Sequence, residues 1–129
     1  MRKLTSALLV VLIATVAAQA AGPSIVSLVK LIASPRDFDG KHVIVFGVPR
    51  IEFEGTCLFL HMEDYERGLP NALWLSVPRD KYSAWKALEG KYVVVAGTFS
   101  AHDTGHGGIY SGAIHDITRF ELFNASPSL

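Results

Sequence analysis

The apolar residues of this chain fall into five short runs of alternating character, most separated by Gly-bearing turns, and this pattern leaves little room for anything but a small β-structure. The runs are Lys41–Phe53, Thr56–Met62, Ala72–Val77, Lys91–Ala101 and Ile109–Phe123. The fourth is the strongest, because Val93, Val94 and Val95 form a β-branched block followed by Gly97 and Phe99, and it is expected to be central. In the first run Val43, Val45, Ile51 and Phe53 share one parity and Ile44, Phe46 and Val48 the other. Gly47 and Pro49 interrupt it, where a barrel strand would bend or bulge. The last run shifts its apolar parity between Ile114 and Ile117, which predicts a second bulge.

Two helical segments are expected, one before the first run and one between the third and the fourth. Ile25, Leu28, Val29, Leu31 and Ile32 approximate helical spacing after Pro23 and before Pro35. Asp80 to Leu88 places Tyr82, Trp85 and Leu88 at helical spacing, with Gly90 as the closing residue. The stretch Glu63 to Asn71 is polar and broken by Gly68 and Pro70, so it reads as a connecting loop. No internal repeat is visible. The fold expected is mostly β: a five-stranded Greek-key barrel of the OB type, with a helix between strands 3 and 4 and a short N-terminal helix.

The first twenty residues have a different character. Arg2 and Lys3 precede an uncharged run from Leu4 to Ala18, and Ala18, Gln19 and Ala20 give the small-x-small ending that a signal peptidase accommodates. The run is short of a comfortable bilayer span of about 20 apolar residues. Residues 1–20 are therefore expected to be a cleaved signal peptide, residues 21–123 one domain, and residues 124–129 a flexible polar tail. The product would be periplasmic or secreted, without a stable membrane span. Cys57 is the only cysteine, so no intrachain disulfide can form, and it reads as a small apolar strand residue.

The strings DFDGKHVIVFGV from Asp37, GTCLFLHMED from Gly55, NALWLSV from Asn71, LEGKYVVVAGTF from Leu88 and GAIHDITRFEL from Gly112 resemble those of small exported bacterial OB-fold proteins in the group of tRNA-anticodon-binding-like domains. The resemblance runs from Ile25 to Phe123 and implies the barrel. Members of the wider fold group bind nucleic acids, oligosaccharides or proteins, so the fold does not select a ligand.

OB folds bind through strands 2 and 3 and the adjoining loops, where Phe53, Phe59, His61 and Trp74 are the candidate contacts. Nucleic acid is disfavoured there. Glu52, Glu54, Glu63, Asp64 and Glu66 outnumber Arg50 and Arg67 in the same neighbourhood, and phosphate binding scales with the cations supplied. The chain as a whole carries 12 basic and 12 acidic residues, so no one-signed field points to a polyanion. A protein or glycan ligand is the better expectation.

A second candidate is a divalent-metal site, zinc for example, using His102, Asp103 and His106 on the Gly-rich loop, with His61, Glu63 and Asp64 on an adjacent rim. His42 and His115 are strand residues without a visible partner. Catalysis is not expected. Ser76, Ser100 and Ser111 lack an elbow motif, no phosphate-binding Gly loop precedes a helix, and no H-E-x-x-H occurs. The reading is a non-enzymatic binding module that needs no cofactor, with a metal-binding protein or an envelope assembly factor, docking through a strand edge, as the alternatives.

Overall fold

The computed structural model describes residues 22–124, so the expected signal peptide, residues 1–20, and all but the first residue of the tail lie outside the described residues. In chain order the elements are β1 (Ser24–Ile25), α1 (Leu28–Ala33), β2 (His42–Arg50), β3 (Cys57–Phe59), α2 (Met62–Arg67), β4 (Ala72–Leu75), α3 (Tyr82–Lys86), β5 (Val93–Ser100) and β6 (Ala113–Leu122). Single 3-10 turns precede β2, α3 and β6.

Five strands close a barrel in the order β2, β3, β4, β6, β5 and back to β2, with β1 added parallel to β2 on the outside. The β4–β6 pairing is parallel and the others around the barrel are antiparallel. This is the mostly β, OB-type barrel that the alternating runs predict, with its helix between the third and fourth barrel strands. β5 has partners on both sides, β2 and β6, as its Val block predicts.

Closure depends on two irregularities that the sequence marks. β2 pairs with β5 as far as Gly47 and with β3 from Val48 onward, so the strand turns a corner between two partners. A Cβ at Gly47 would lie 2.6 Å from the carbonyl oxygen of Phe59, which is why only glycine permits this approach. On β6, His115 faces Thr98 and Arg119 faces Ala96, so Asp116, Ile117 and Thr118 together span the place opposite the single Gly97. Asp116 takes φ 47°, and the apolar parity changes across this bulge.

The barrel interior is filled by Val43, Val45, Leu58, Leu73, Val95 and Phe99, each 1 % exposed or less. α1 adds Leu28 and Leu31 to the same core, and Tyr82, Trp85 and Leu88 around α3 pack against it, with Trp85 stacked on Phe120 at 4.4 Å. Burial of each such side chain contributes about 1.5–3 kcal/mol, which lets a chain without disulfides close its barrel.

Several boundaries differ from the sequence expectation: Ile25 lies in β1 rather than in the N-terminal helix, β3 stops at Phe59 and β6 starts at Ala113, and two further differences bear on the site. β2 ends at Arg50 rather than Phe53, so the parity that placed Phe53 with the core stops before reaching it, and Phe53 is 87 % exposed. The Glu63–Asn71 stretch is not all loop, because residues 62–67 form α2. Gly68 closes that helix at φ 64°, its N–H donating to the carbonyls of Asp64 and Tyr65. Glu63 and Asp64 in the first turn and Arg67 in the last suit the helix dipole.

Candidate functional site

The outer face of barrel strands 2 and 3, here β3 and β4, is covered. Register puts Val48, Phe59 and Ala72 in one row and Arg50, Cys57 and Trp74 in another on the outer side of β2, β3 and β4. Val48, Cys57, Phe59 and Ala72 are all 2 % exposed or less, under Met62 and Tyr65 of α2 and Tyr110 of the β5–β6 loop. Tyr65 meets Phe59 edge to face at 5.9 Å. The Arg50 guanidinium sits 5.0 Å from the Phe59 ring and 4.7 Å from the Tyr65 ring, and it donates to the Tyr65 carbonyl. Phe59, a candidate ligand contact from the sequence, is instead buried as the floor under α2.

Cys57 and Tyr110 close the other end of this layer, with Sγ and Oη 3.2 Å apart. Burial pushes the Cys57 thiol up, against the opposing pull of the Tyr110 hydrogen bond. Burial first, then the contact with Cys57, pushes the Tyr110 phenol up to about 12. Both groups are neutral at physiological pH and act as packing.

His61 stands at the start of α2 with its side chain 65 % exposed, and its Nδ1 is 3.7 Å from Oδ2 of Asp64. Asp64 is buried, and its Oδ1 accepts from Nδ2 of Asn71 at 3.0 Å. These groups tie the first turn of α2 to Asn71.

Phe53 and Trp74, by contrast, line the same cleft, of about 540 Å³, between the β2–β3 turn and the β4–α3 connection. Glu52 and Glu54 stand on the turn side, and Ser76, Arg79 and Ser83 on the other. The turn is built to hold an exposed ring. The Glu52 carbonyl accepts from the Gly55 N–H at 3.3 Å and the Thr56 hydroxyl at 2.9 Å, and Glu54 takes φ 60°. Its root, Ile51, is clamped on both sides: the Ile51 N–H donates to Oε2 of Glu89 at 3.0 Å, and the Ile51 carbonyl accepts from Lys86 Nζ at 2.7 Å and the Tyr82 hydroxyl at 3.3 Å.

The Glu89 carboxyl feels burial, which opposes its charge, but hydrogen bonds from Lys86, the Ile51 N–H and Tyr65 outweigh it and hold the group below its usual range. The Lys86 ammonium is raised in turn by its hydrogen bond to Glu89. Sequence reading missed Lys86, Tyr82 and Glu89 as supports, since nothing local links them to a turn more than thirty residues earlier.

Trp74 reaches the cleft from β4. Gly105 of the β5–β6 loop lies on its ring so closely that a Cβ there would be 2.7 Å from Cε3, and Tyr110 lies beside it at 6.2 Å. The loop that carries the histidines thus fixes the position of Trp74.

Those histidines do not converge. Nε2 of His102 faces Oδ2 of Asp39 at 3.2 Å, while Oδ2 of Asp103 faces Nε2 of His115 at 2.8 Å. Asp103 Oδ1 accepts from the Gly105 N–H at 3.0 Å, and His106 is exposed on the 3-10 turn. The alternative ligand set His102, Asp103 and His106 is therefore divided between two separate His–Asp contacts and solvent. His115, expected to be without a partner, has one in Asp103. Among the described residues no group of three or more His, Cys, Asp or Glu side chains is placed to hold a metal ion. Among the described residues, too, no helix is long and apolar enough to cross a membrane.

No family model, no curated protein and no solved structure matches this chain.

Proposed function

We propose that this chain is a non-enzymatic, exported binding module of the small OB-fold type, which holds a protein or oligosaccharide ligand in the cleft between Phe53 and Trp74. One observation carries the reading: Phe53 is 87 % exposed at the tip of a turn whose root is clamped by Glu89, Lys86 and Tyr82. Leaving a Phe ring in water forgoes about 1.5–3 kcal/mol of burial. A rigid mount for such a ring, beside a second aromatic and within a concave surface, is the arrangement of a ligand contact.

The covered strand face supports the same location, because Phe59 and Cys57 are not available to a ligand. Glu52 and Glu54 against Arg79 leave the cleft without the cations a phosphate backbone needs, which favours protein or sugar over nucleic acid. Export rests on the basic start, apolar run and Ala18–Ala20 ending of the sequence.

Amide NMR of the protein, titrated separately with neutral oligosaccharides, peptides and oligonucleotides, tests this. The expected result is a set of shifts at Glu52–Thr56 and Trp74–Ser83 that disappears in Phe53→Ala, a surface change that leaves the barrel intact. Shifts that gather elsewhere and survive Phe53→Ala would move the site and end this reading.

A further inference from the structure

The chemistry around the cleft narrows the ligand class within the binding-module reading, on which this step rests. We infer that the cleft takes a short neutral oligosaccharide, with sugar rings laid against Phe53 and Trp74 and hydroxyls bonded to Glu52, Glu54, Ser76 and Ser83.

Peptide recognition by strand addition is closed off at this place. Backbone groups of β4 and its extension are already used on both sides: the Leu75 N–H donates to Thr56 O at 3.0 Å, and the Trp74 and Ser76 N–H groups donate to Gly112 O and Ile114 O, each at 3.0 Å. No edge is left here for an incoming strand to pair with. A folded protein partner would need an apolar patch with its charges at the rim, since interface centres are depleted in charged residues. Here Glu52, Glu54 and Arg79 line the cleft itself, together with the two aromatic rings.

A sugar satisfies this mixture group by group. Its ring has an apolar C–H face, which suits the exposed Phe53 ring and Trp74, and a girdle of hydroxyls that both donate and accept. Carboxylates accept only, a guanidinium donates only, and serine hydroxyls do both, so the lining offers a partner for either sense of hydrogen bond. The two carboxylates of the lining are matched by Arg79 and by Arg50, whose Nε is 3.7 Å from Oε1 of Glu52, so the cleft offers no unbalanced charge for an ionic ligand. Two platforms in an open cleft of about 540 Å³ favour more than one sugar unit.

The test uses the whole chain purified from the exported fraction and a panel of neutral β-linked hexose and N-acetylhexosamine oligomers, tetramer to hexamer, read by calorimetry and amide NMR. A lysine-rich peptide and an oligothymidylate serve as controls. At least one oligomer is expected to bind at millimolar concentration or below, with shifts confined to the cleft and an affinity insensitive to salt. Phe53→Ala should weaken it by about tenfold, the loss expected when one aromatic anchor is truncated. Glu54→Gln should weaken it less, because the amide still accepts through its oxygen.

If no oligomer of the panel shifts the cleft, the saccharide assignment falls. A cleft response to the peptide or oligothymidylate instead overturns the sugar while leaving the binding module standing. Silence at the cleft with all three classes overturns both.

Discussion

Replacing Gly105 with Ala should destabilise the protein and release Trp74 from the β5–β6 loop that packs on its ring. Two costs add at this position. Gly105 has φ 72° and ψ −175°, a region open almost only to glycine, and an L-residue held there costs about 1–3 kcal/mol. The added Cβ would lie 2.7 Å from Cε3 and 2.8 Å from Cδ2 of Trp74, inside the 3.4–4 Å of ordinary contact. Forcing an atom into such a space costs a further 1–3 kcal/mol, approximately. A swing of the loop away from the ring would relieve both strains together, so the net loss should be about 2–4 kcal/mol rather than their full sum. With a urea dependence of about 1–3 kcal/mol per molar for a domain of this size, the unfolding midpoint should fall on the order of 1 M.

The assay is urea unfolding followed by fluorescence in a Trp85→Phe background, which leaves Trp74 as the reporter. Folded Gly105→Ala should show red-shifted emission, since the ring loses the loop that covers it. Gly22→Ala, where an added Cβ meets nothing within 4 Å, serves as the neutral control. A loss below about 0.5 kcal/mol, the ordinary range of surface changes, together with unchanged emission would refute the claim that this loop fixes Trp74.

Two further outcomes follow from the buried and clamped groups. The folded Glu89 carboxyl lies below its ordinary value of 4.5, so its contribution is complete above about that pH and is lost as pH falls through the lowered value. Urea midpoints should decline on that acid side, less steeply in Glu89→Gln, and amide exchange at Ile51 should quicken in the variant; equal acid slopes would count against the clamp. Cys57, buried with its thiol pushed up, should react with a thiol reagent only as fast as the protein unfolds, and rapid labelling of the native protein would show that the layer under α2 is open.

Local pattern carried the strands a long way. The Val93–Val95 block, the Gly47 corner and the parity change beyond Ile114 are each visible in the sequence, because alternation and glycine report directly on which side of a sheet a residue faces. The site was less legible. Phe53 and Phe59 look alike in the sequence, two aromatics in adjacent apolar runs, yet one is 87 % exposed and the other 2 %. What separates them is where β2 stops and where α2 lands. Alternation says nothing about either, since the end of β2 is set by Glu89 and Lys86 holding Ile51 from a distant helix end, and α2 forms on a stretch polar enough to read as loop.

The histidine loop makes the same point from the opposite side. His102, Asp103 and His106 stand within five residues, and their closeness in sequence suggested a common ligand. On a glycine-rich loop each side chain turns toward whatever the barrel offers, Asp39 for one and His115 for another. By itself, then, the sequence determined a mostly β barrel, its bends and its helix between the third and fourth barrel strands, because these depend on periodicity and on glycine. Only the tertiary structure decided which aromatic meets water, which face is sealed and which acid each histidine faces, because those are contacts between residues far apart in the chain.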